Sequence, residues 1–438
     1  GSNSAPSIAF ASDTDTGIYR GGANTLAFSA GGTARFYSDA SSYIATLTAG
    51  TSNTAIGVNA GNSITSGGNY NTVVGDEAGT AITTGIGNSL IGSLAGDALT
   101  DADYNVAIGY FALTADTLGS RSTAIGTSAL ESQNFTSATT SYNTAVGFAA
   151  GSAVTTGIRN TLIGGLAGDA ITTGSDNTAL GFQALTTNQT SANNTAVGVS
   201  ALKLNTGADN TAVGRGALLN QANASSNTAV GKDAGNDITT GVQNTIVGAL
   251  AGDALTDADY NVAVGVTSLG TDTLGSKSTA IGYATLQTQN FTTATDTFNT
   301  AVGYEAGAAV TVGKYNTLVG ALAGDAITTG ENNSALGQDA LTTNVHGDNV
   351  VAIGNEAAQL LNPTASSGTD THMNGVYIGY QAGDEVTTGR HNTVVGALTA
   401  NAMTTGANNL LLGTTAGNSS QPGGEITTGG GQIVLGNA

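Results

Sequence analysis

Asn143-Thr144-Ala145-Val146-Gly147 is the stretch on which the reading of this chain turns, because the same phrase or a close variant returns from Asn53 to the C-terminus. Its terminal glycines run from Gly57, Gly75, Gly92 and Gly109 to Gly396, Gly413 and Gly436; they number about 22, and most lie 17 residues apart. A fixed period of this length marks one small unit stacked on copies of itself, each burying its apolar face against its neighbours. A longer period is nested in the first. The run Gly96-Asp97-Ala98-Leu99-Thr100-Asp101-Ala102-Asp103-Tyr104-Asn105 reappears unchanged at Gly252 to Asn261, about 156 residues on, so a block of nine units is duplicated.

Taken as a strand, the phrase places Ala145 and Gly147 on one face and Thr144 and Val146 on the other. The Val146 position holds Val, Ile or Leu throughout, and the position before it is mostly Ala, otherwise usually larger, as in Leu162 and Ile246. Apolar columns on both faces mean that both faces are covered. The expectation is that the Val column fills each chain's narrow interior and that the small alanines meet partner chains about a three-fold axis. Val230→Asp then buries an unpaired charge and breaks assembly locally. A monomeric solenoid whose Ala column faces a loop layer is the alternative.

Composition agrees with this class. Sixty-five glycines, three prolines, no tryptophan and 9% charged residues resemble a low-complexity chain, but the periodic Val, Ile and Leu do not. Regular apolar positions between Gly, Asn and Thr give short strands and tight turns, and no helical period persists. The fold class expected is all-β, a repetitive β-solenoid or β-roll of about 22 units with a period near 17 residues, assembled as a homotrimeric fibre. Residues 1–50 read as a small N-terminal β module, 51–354 as regular repeats containing the duplication, and 355–438 as less regular repeats with longer loops.

A net charge of −20 and a pI near 4.1 exclude nucleic acid and anionic membrane surfaces as natural partners. Without cysteine there are no disulfides or thiolate metal sites. No apolar run approaches the roughly 20 residues of a membrane span. Gly1-Ser2-Asn3-Ser4 does not read as a signal peptide, and Gly1-Ser2 has the look of a cloning scar.

Within a unit, two variable residues follow the phrase glycine, and then Ala-Gly or Ala-Leu, as at Ala78-Gly79 and Ala167-Gly168. A second strand and turn are expected through Thr-Thr-Gly, as at Thr83-Thr84-Gly85 and Thr172-Thr173-Gly174. The asparagine column, including Asn71, Asn160, Asn177, Asn244 and Asn316, reads as a structural ladder of stacked amides.

The phrase Asn-Thr-Ala-Val-Gly-x-x-Ala-Gly, together with Ile8-Ala9-Phe10-Ala11-Ser12-Asp13-Thr14-Asp15-Thr16-Gly17-Ile18-Tyr19-Arg20 and Asn24-Thr25-Leu26-Ala27-Phe28, resembles tail-fibre proteins of bacteriophages and prophages. In that family such repeats lie upstream of a self-cleaving intramolecular chaperone of the endosialidase type. Gln432-Ile433-Val434-Leu435-Gly436-Asn437-Ala438 resembles the run-in to it. The chaperone itself is absent, as after autocleavage or truncation. The repeats are also similar to the heads of trimeric autotransporter adhesins, whose units are shorter. Both resemblances imply a trimeric rod in the virion tail or at a cell surface, with a host surface glycan or protein and other fibre proteins as partners.

Contact residues are expected in the insertions that break the period, at Glu131 to Tyr142, Gln287 to Phe298, Asn355 to Gly375 and between Thr414 and Gly431. Phe135 and Phe291 are the receptor-binding candidates there, unless each simply pins its own loop. Asp370, His372 and Met373, in the least repetitive segment, are the others. Enzymatic readings fare badly, and no catalytic residue or cofactor is assigned. The acidic residues mostly recur with the repeat, and His346, His372 and His391 lack metal-ligand spacing. Asp97, Asp101 and Asp103, repeated as Asp253, Asp257 and Asp259, are weak calcium candidates beside the simpler reading as solvated acidic turns. An ice-binding solenoid is a lesser alternative, because adjacent threonines of Thr-Thr-Gly point to opposite faces.

Overall fold

The computed structural model describes residues 2, 4–22, 25–38, 49–363, 371–418 and 425–436. Among these the chain is all-β, with no helix. It divides into two compact units, Gly1–Ser200 and Ala201–Ala438.

The first unit opens with an antiparallel meander of β1 (Ile8–Phe10), β2 (Asp13–Gly22), β3 (Thr25–Ala30) and β4 (Thr33–Ser38), paired in chain order. A parallel β-solenoid follows, whose three-residue strands run from Thr54–Ile56 to Thr195–Val197. The second unit is a solenoid of the same kind, from Thr211–Val213 to Ile433–Leu435. Coils stack without slippage: Thr161 pairs Thr178, Leu162 pairs Ala179 and Ile163 pairs Leu180.

One coil shows why the strand is so short. Asn160 precedes the Thr161–Ile163 strand and Gly164 ends it at φ 135°. Leu166, Gly168 and Asp176 then take φ near 58 to 60°, so left-handed residues interrupt the path and turn it back on itself. The second strand expected through Thr-Thr-Gly is therefore not formed in the regular coil. Those residues bend instead, and bond coil to coil: the Thr172 N–H and hydroxyl both donate to the Gln189 carbonyl, at 2.8 and 3.0 Å. Extra two-residue strands occur beside the insertions, where Gly119–Ser120 pairs Thr139–Thr140 and Gly275–Ser276 pairs Thr295–Asp296.

The phrase glycine has a second role. Cβ atoms built on Gly147 and Gly231 would lie 2.5 Å from the carbonyl oxygens of Gly164 and Gly248, the phrase glycines of the next coils. Backbone passes over backbone there with no room for a side chain.

The interior corrects the expected register. Ala145, Leu162, Ala179 and Ala229, the middle residues of their strands, are fully buried. The Val/Ile/Leu column faces outward instead, with Ile91 40%, Leu180 45%, Val230 38% and Leu336 50% exposed. The coil is narrow, and its lumen also takes the alanine after the turn (Ala150, Ala167) and one further apolar residue (Val154, Ile171). A strand residue facing that lumen must be small, or be matched by a small partner. Where the strand carries Leu162 or Leu318, the turn carries Gly168 or Gly324, on which a Cβ would come within 2.7 or 2.8 Å of the leucine Cδ2. Where the turn carries Leu113, Leu185, Leu202 or Leu341, the strand carries Ala107, Ala179, Ala196 or Ala335. Where both positions are small, as at Ala145 with Gly151 and Ala229 with Gly235, a leucine of an adjoining coil, Leu162 or Leu218, closes on the glycine, so volume is shared along the stack as close packing requires.

Buried amides hold the coils in register. The Asn177 N–H donates to Asn160 Oδ1 at 3.0 Å, and Asn160 Nδ2 donates to the Gly174 carbonyl at 2.9 Å. The pattern repeats through Asn71, Asn88 and Asn105 and through Asn227, Asn244 and Asn261. Each side chain thus satisfies a donor and an acceptor of the neighbouring coil, which is the condition for burying them.

Candidate functional site

Two surfaces stand out from the repeat: the outward face of the strands and the shelves built by the two duplicated insertions. On the first, the partly exposed Thr and Val columns run along each unit. One margin is lined by the residue after the phrase glycine, which in the first unit includes the exposed Tyr110, Phe148 and Phe182 and in the second the stacked Tyr283 and Tyr304, 5.4 Å apart. The other margin, the residue before the asparagine, mixes aromatics with charge: Tyr104, Arg121, Tyr142, Arg159 and Asp176 in the first unit. Arg159 and Asp176 form an exposed ion pair at 2.6 Å, which draws the Asp176 carboxyl below its usual range.

The shelves place Phe135 and Phe291 inside, each 6% exposed. The Phe135 N–H donates to Asp116 Oδ1 at 3.1 Å, the Gly119 N–H donates to the same oxygen at 3.0 Å, and Gln133 Nε2 donates to Asp116 Oδ2 at 2.6 Å. Burial still pushes the Asp116 carboxyl above its ordinary range, against those three bonds. Gln133 also donates to the Ser122 hydroxyl and accepts from Asn143 Nδ2, bridging the coil where serine replaces the ladder asparagine. Asp272, Gln289, Ser278, Asn299 and Phe291 repeat the arrangement. The phenylalanines thus plug their own loops. What each insertion shows to solvent is its polar crest: Asn134, Thr136, Ser137 and Ala138, and Asn290, Thr292, Thr293 and Ala294. The Asp116–Gln133 network was missed in the sequence; its signal is a polar residue recurring where other coils carry Val154 or Ile171.

Of the other contact candidates, His372 is exposed, Met373 is fully buried, and Asp370 lies outside the described residues. The calcium candidates do not converge. Asp101 accepts the Thr84 hydroxyl at 2.6 Å, Asp103 the Ile86 N–H at 2.8 Å, and Asp97 the Thr114 hydroxyl. Asp257 and Asp259 serve Thr240 and Val242 in the same way. Asp253 is half-buried, and desolvation raises its pKa. Among the described residues, no group of three His, Cys, Asp or Glu is placed to hold a metal ion.

Asp325, like Asp169, differs from these turn carboxylates. Its Oδ1 is buried without a hydrogen-bond partner, and burial, with Asp339 and Glu305 nearby, pushes its carboxyl up to about 6. A carboxyl whose pKa is raised by folding favours the folded state when protonated. That stability is full below the ordinary value of 3.8 and is lost as pH rises through about 6. Thermal melting followed by circular dichroism is expected to show Asp325→Asn melting higher than wild type at pH 7 and no higher at pH 4. Asn62, Asn236 and Asn418 already occupy the equivalent position in other coils, so the amide fits the turn.

The fold defines the chain as a parallel β-solenoid repeat protein whose outer strand face carries columns of Thr and of Val, Ile or Leu. No protein-family model matches it, and a search of curated proteins finds no relative.

Proposed function

We propose that the protein is a non-enzymatic structural rod, the shaft or distal part of a phage-like tail fibre, which assembles as a homotrimer and attaches to a bacterial cell surface. The observation that carries this reading is the outward Val/Ile/Leu column with its aromatic margin. A monomeric protein rarely leaves a contiguous apolar patch larger than a few hundred Å², and here the column recurs coil after coil along each unit. The flat strand face and the Tyr110, Phe148 and Phe182 margin supply the apolar, aromatic centre of an interface between copies. Arg159 and Asp176 of the charged margin supply its polar rim. Three copies on one axis also give a weak surface site avidity for a dense receptor.

Light scattering coupled to size exclusion tests the assembly. A mass three times the 42.7 kDa chain is expected. A monomer whose outer face binds no other chain sinks the fibre reading, and leaves a free-standing surface solenoid in its place. Attachment is tested separately, by labelled protein on bacterial cells.

A further inference from the structure

We propose that the groove between the first insertion shelf and the coil below it binds an acidic pyranose, a glycan unit carrying a carboxylate. The proposal rests on the attachment reading for its biological setting, but its geometry stands by itself. The groove has a volume of about 160 Å³ and is lined by Asp103, Tyr104, Ser120, Arg121, Thr139 and Thr140. It exists because the insertion adds the Thr139–Thr140 strand beside Gly119–Ser120, a wall that no regular coil possesses.

Each lining group has capacity for one part of a sugar. Tyr104 is half exposed, and the part of its ring that Arg121 leaves uncovered offers an aromatic surface to the apolar C–H face of a pyranose. The Arg121 guanidinium sits 5.6 Å from the Tyr104 ring centroid, and its one side-chain hydrogen bond is a long one, 3.4 Å, to the Thr140 hydroxyl. It has no carboxylate partner, whereas Arg159, Arg215, Lys232, Lys277 and Lys314 are all ion-paired. A guanidinium with free donors in a planar fork is the natural receptor for a carboxylate. Asp103 uses Oδ1 to accept the Ile86 N–H, so its second oxygen remains to accept a sugar hydroxyl.

The duplicated block is an internal comparison. It rebuilds the groove with Asp259, Ser276, Ala294, Thr295 and Asp296, and enlarges it to about 620 Å³ with Asp257, Lys314 and Tyr315. There the cation equivalent to Arg121 is Lys277, neutralised by Asp296 at 2.5 Å. The carboxylate, the serine and the insertion wall are kept, but Tyr260 and Lys277, the counterparts of Tyr104 and Arg121, do not line the second groove, so selectivity for the carboxylate belongs to the first.

The test uses the intact protein with two probes, a hyaluronan hexasaccharide and the neutral chitin hexasaccharide, followed by isothermal titration and by tyrosine fluorescence, which no tryptophan obscures. Wild type is expected to bind the acidic probe at least tenfold more tightly. Arg121→Gln is expected to erase that preference, and Tyr104→Ala to weaken both probes at least tenfold; both side chains are at the surface, and an unchanged circular dichroism melt checks the fold. Failure of wild type to bind the acidic probe, or acidic binding that survives Arg121→Gln, overturns the proposal. A change in solution mass on Tyr104→Ala also overturns it, by assigning the groove to contact between copies. Cell attachment that persists in both variants removes the groove and leaves the attachment reading standing. Sugar binding without cell attachment does the reverse.

Discussion

Ala229→Asp is expected to disrupt the solenoid of the second unit, while Val230→Asp, one residue further on, leaves each chain folded and abolishes assembly. Ala229 is fully buried between Ala212 and Ile246 of the neighbouring coils. A carboxylate there meets an apolar lumen with no cation and no spare donor. An uncompensated buried charge costs about 3–5 kcal/mol, a large fraction of the roughly 5–15 kcal/mol by which domains are stable. Because each coil is held only by its neighbours, the damage divides the stack at that point. Val230 is 38% exposed in the single chain, so its replacement leaves the fold intact and falls instead on the surface proposed to meet other copies. Circular dichroism melting and light scattering on the two variants separate these effects. The reverse pattern, a tolerated Ala229→Asp and an unfolded Val230→Asp, would restore the register with Val inside.

The second large effect is Gly231→Ala, a change of one methyl group at a half-buried bend. Gly231 has φ 142°, and a Cβ there would lie 2.5 Å from the Gly248 carbonyl oxygen and 2.6 Å from its carbon. No rotamer relieves this, since both atoms are backbone. Strained backbone alone costs about 1–3 kcal/mol, and forcing two coils apart adds the loss of the ladder bonds on either side. A fall in melting temperature larger than that of Val230→Asp is expected. Equal melting of Gly231→Ala and wild type would mean that the coils can separate locally at no cost.

These expectations also show what was legible in the sequence. The period, the glycines, the single-strand phrase and the buried asparagines are all written in residue types whose reasons are local: left-handed φ for glycine, and a donor and acceptor in one side chain for asparagine. Which apolar column faces inward is not local. Alternation places Ala145 and Val146 on opposite faces, and only the closing turns decide that the narrow lumen takes the alanines. A trace of that decision is present in the pairing of Leu162 with Gly168 and of Ala179 with Leu185, which is compensation across a shared interior. The outward Val column shows no such compensation. Phe135 left two readings open for a related reason. An aromatic in a polar insertion reads as exposed until the buried Asp116 and Gln133 beneath it are seen to need a lid.

The interchangeable joint between coils has a further meaning. Most coils offer the next the same three seams, glycine carbonyl over glycine, amide over amide and threonine hydroxyl to carbonyl, whatever their outward residues are. A gene encoding such joints can recombine with itself in frame, gaining or losing whole coils, and a new junction between regular coils already fits. The copied block of nine coils is the residue of one such event. Reach then becomes a trait that selection can adjust in single-coil steps, separately from whatever the outward residues recognise.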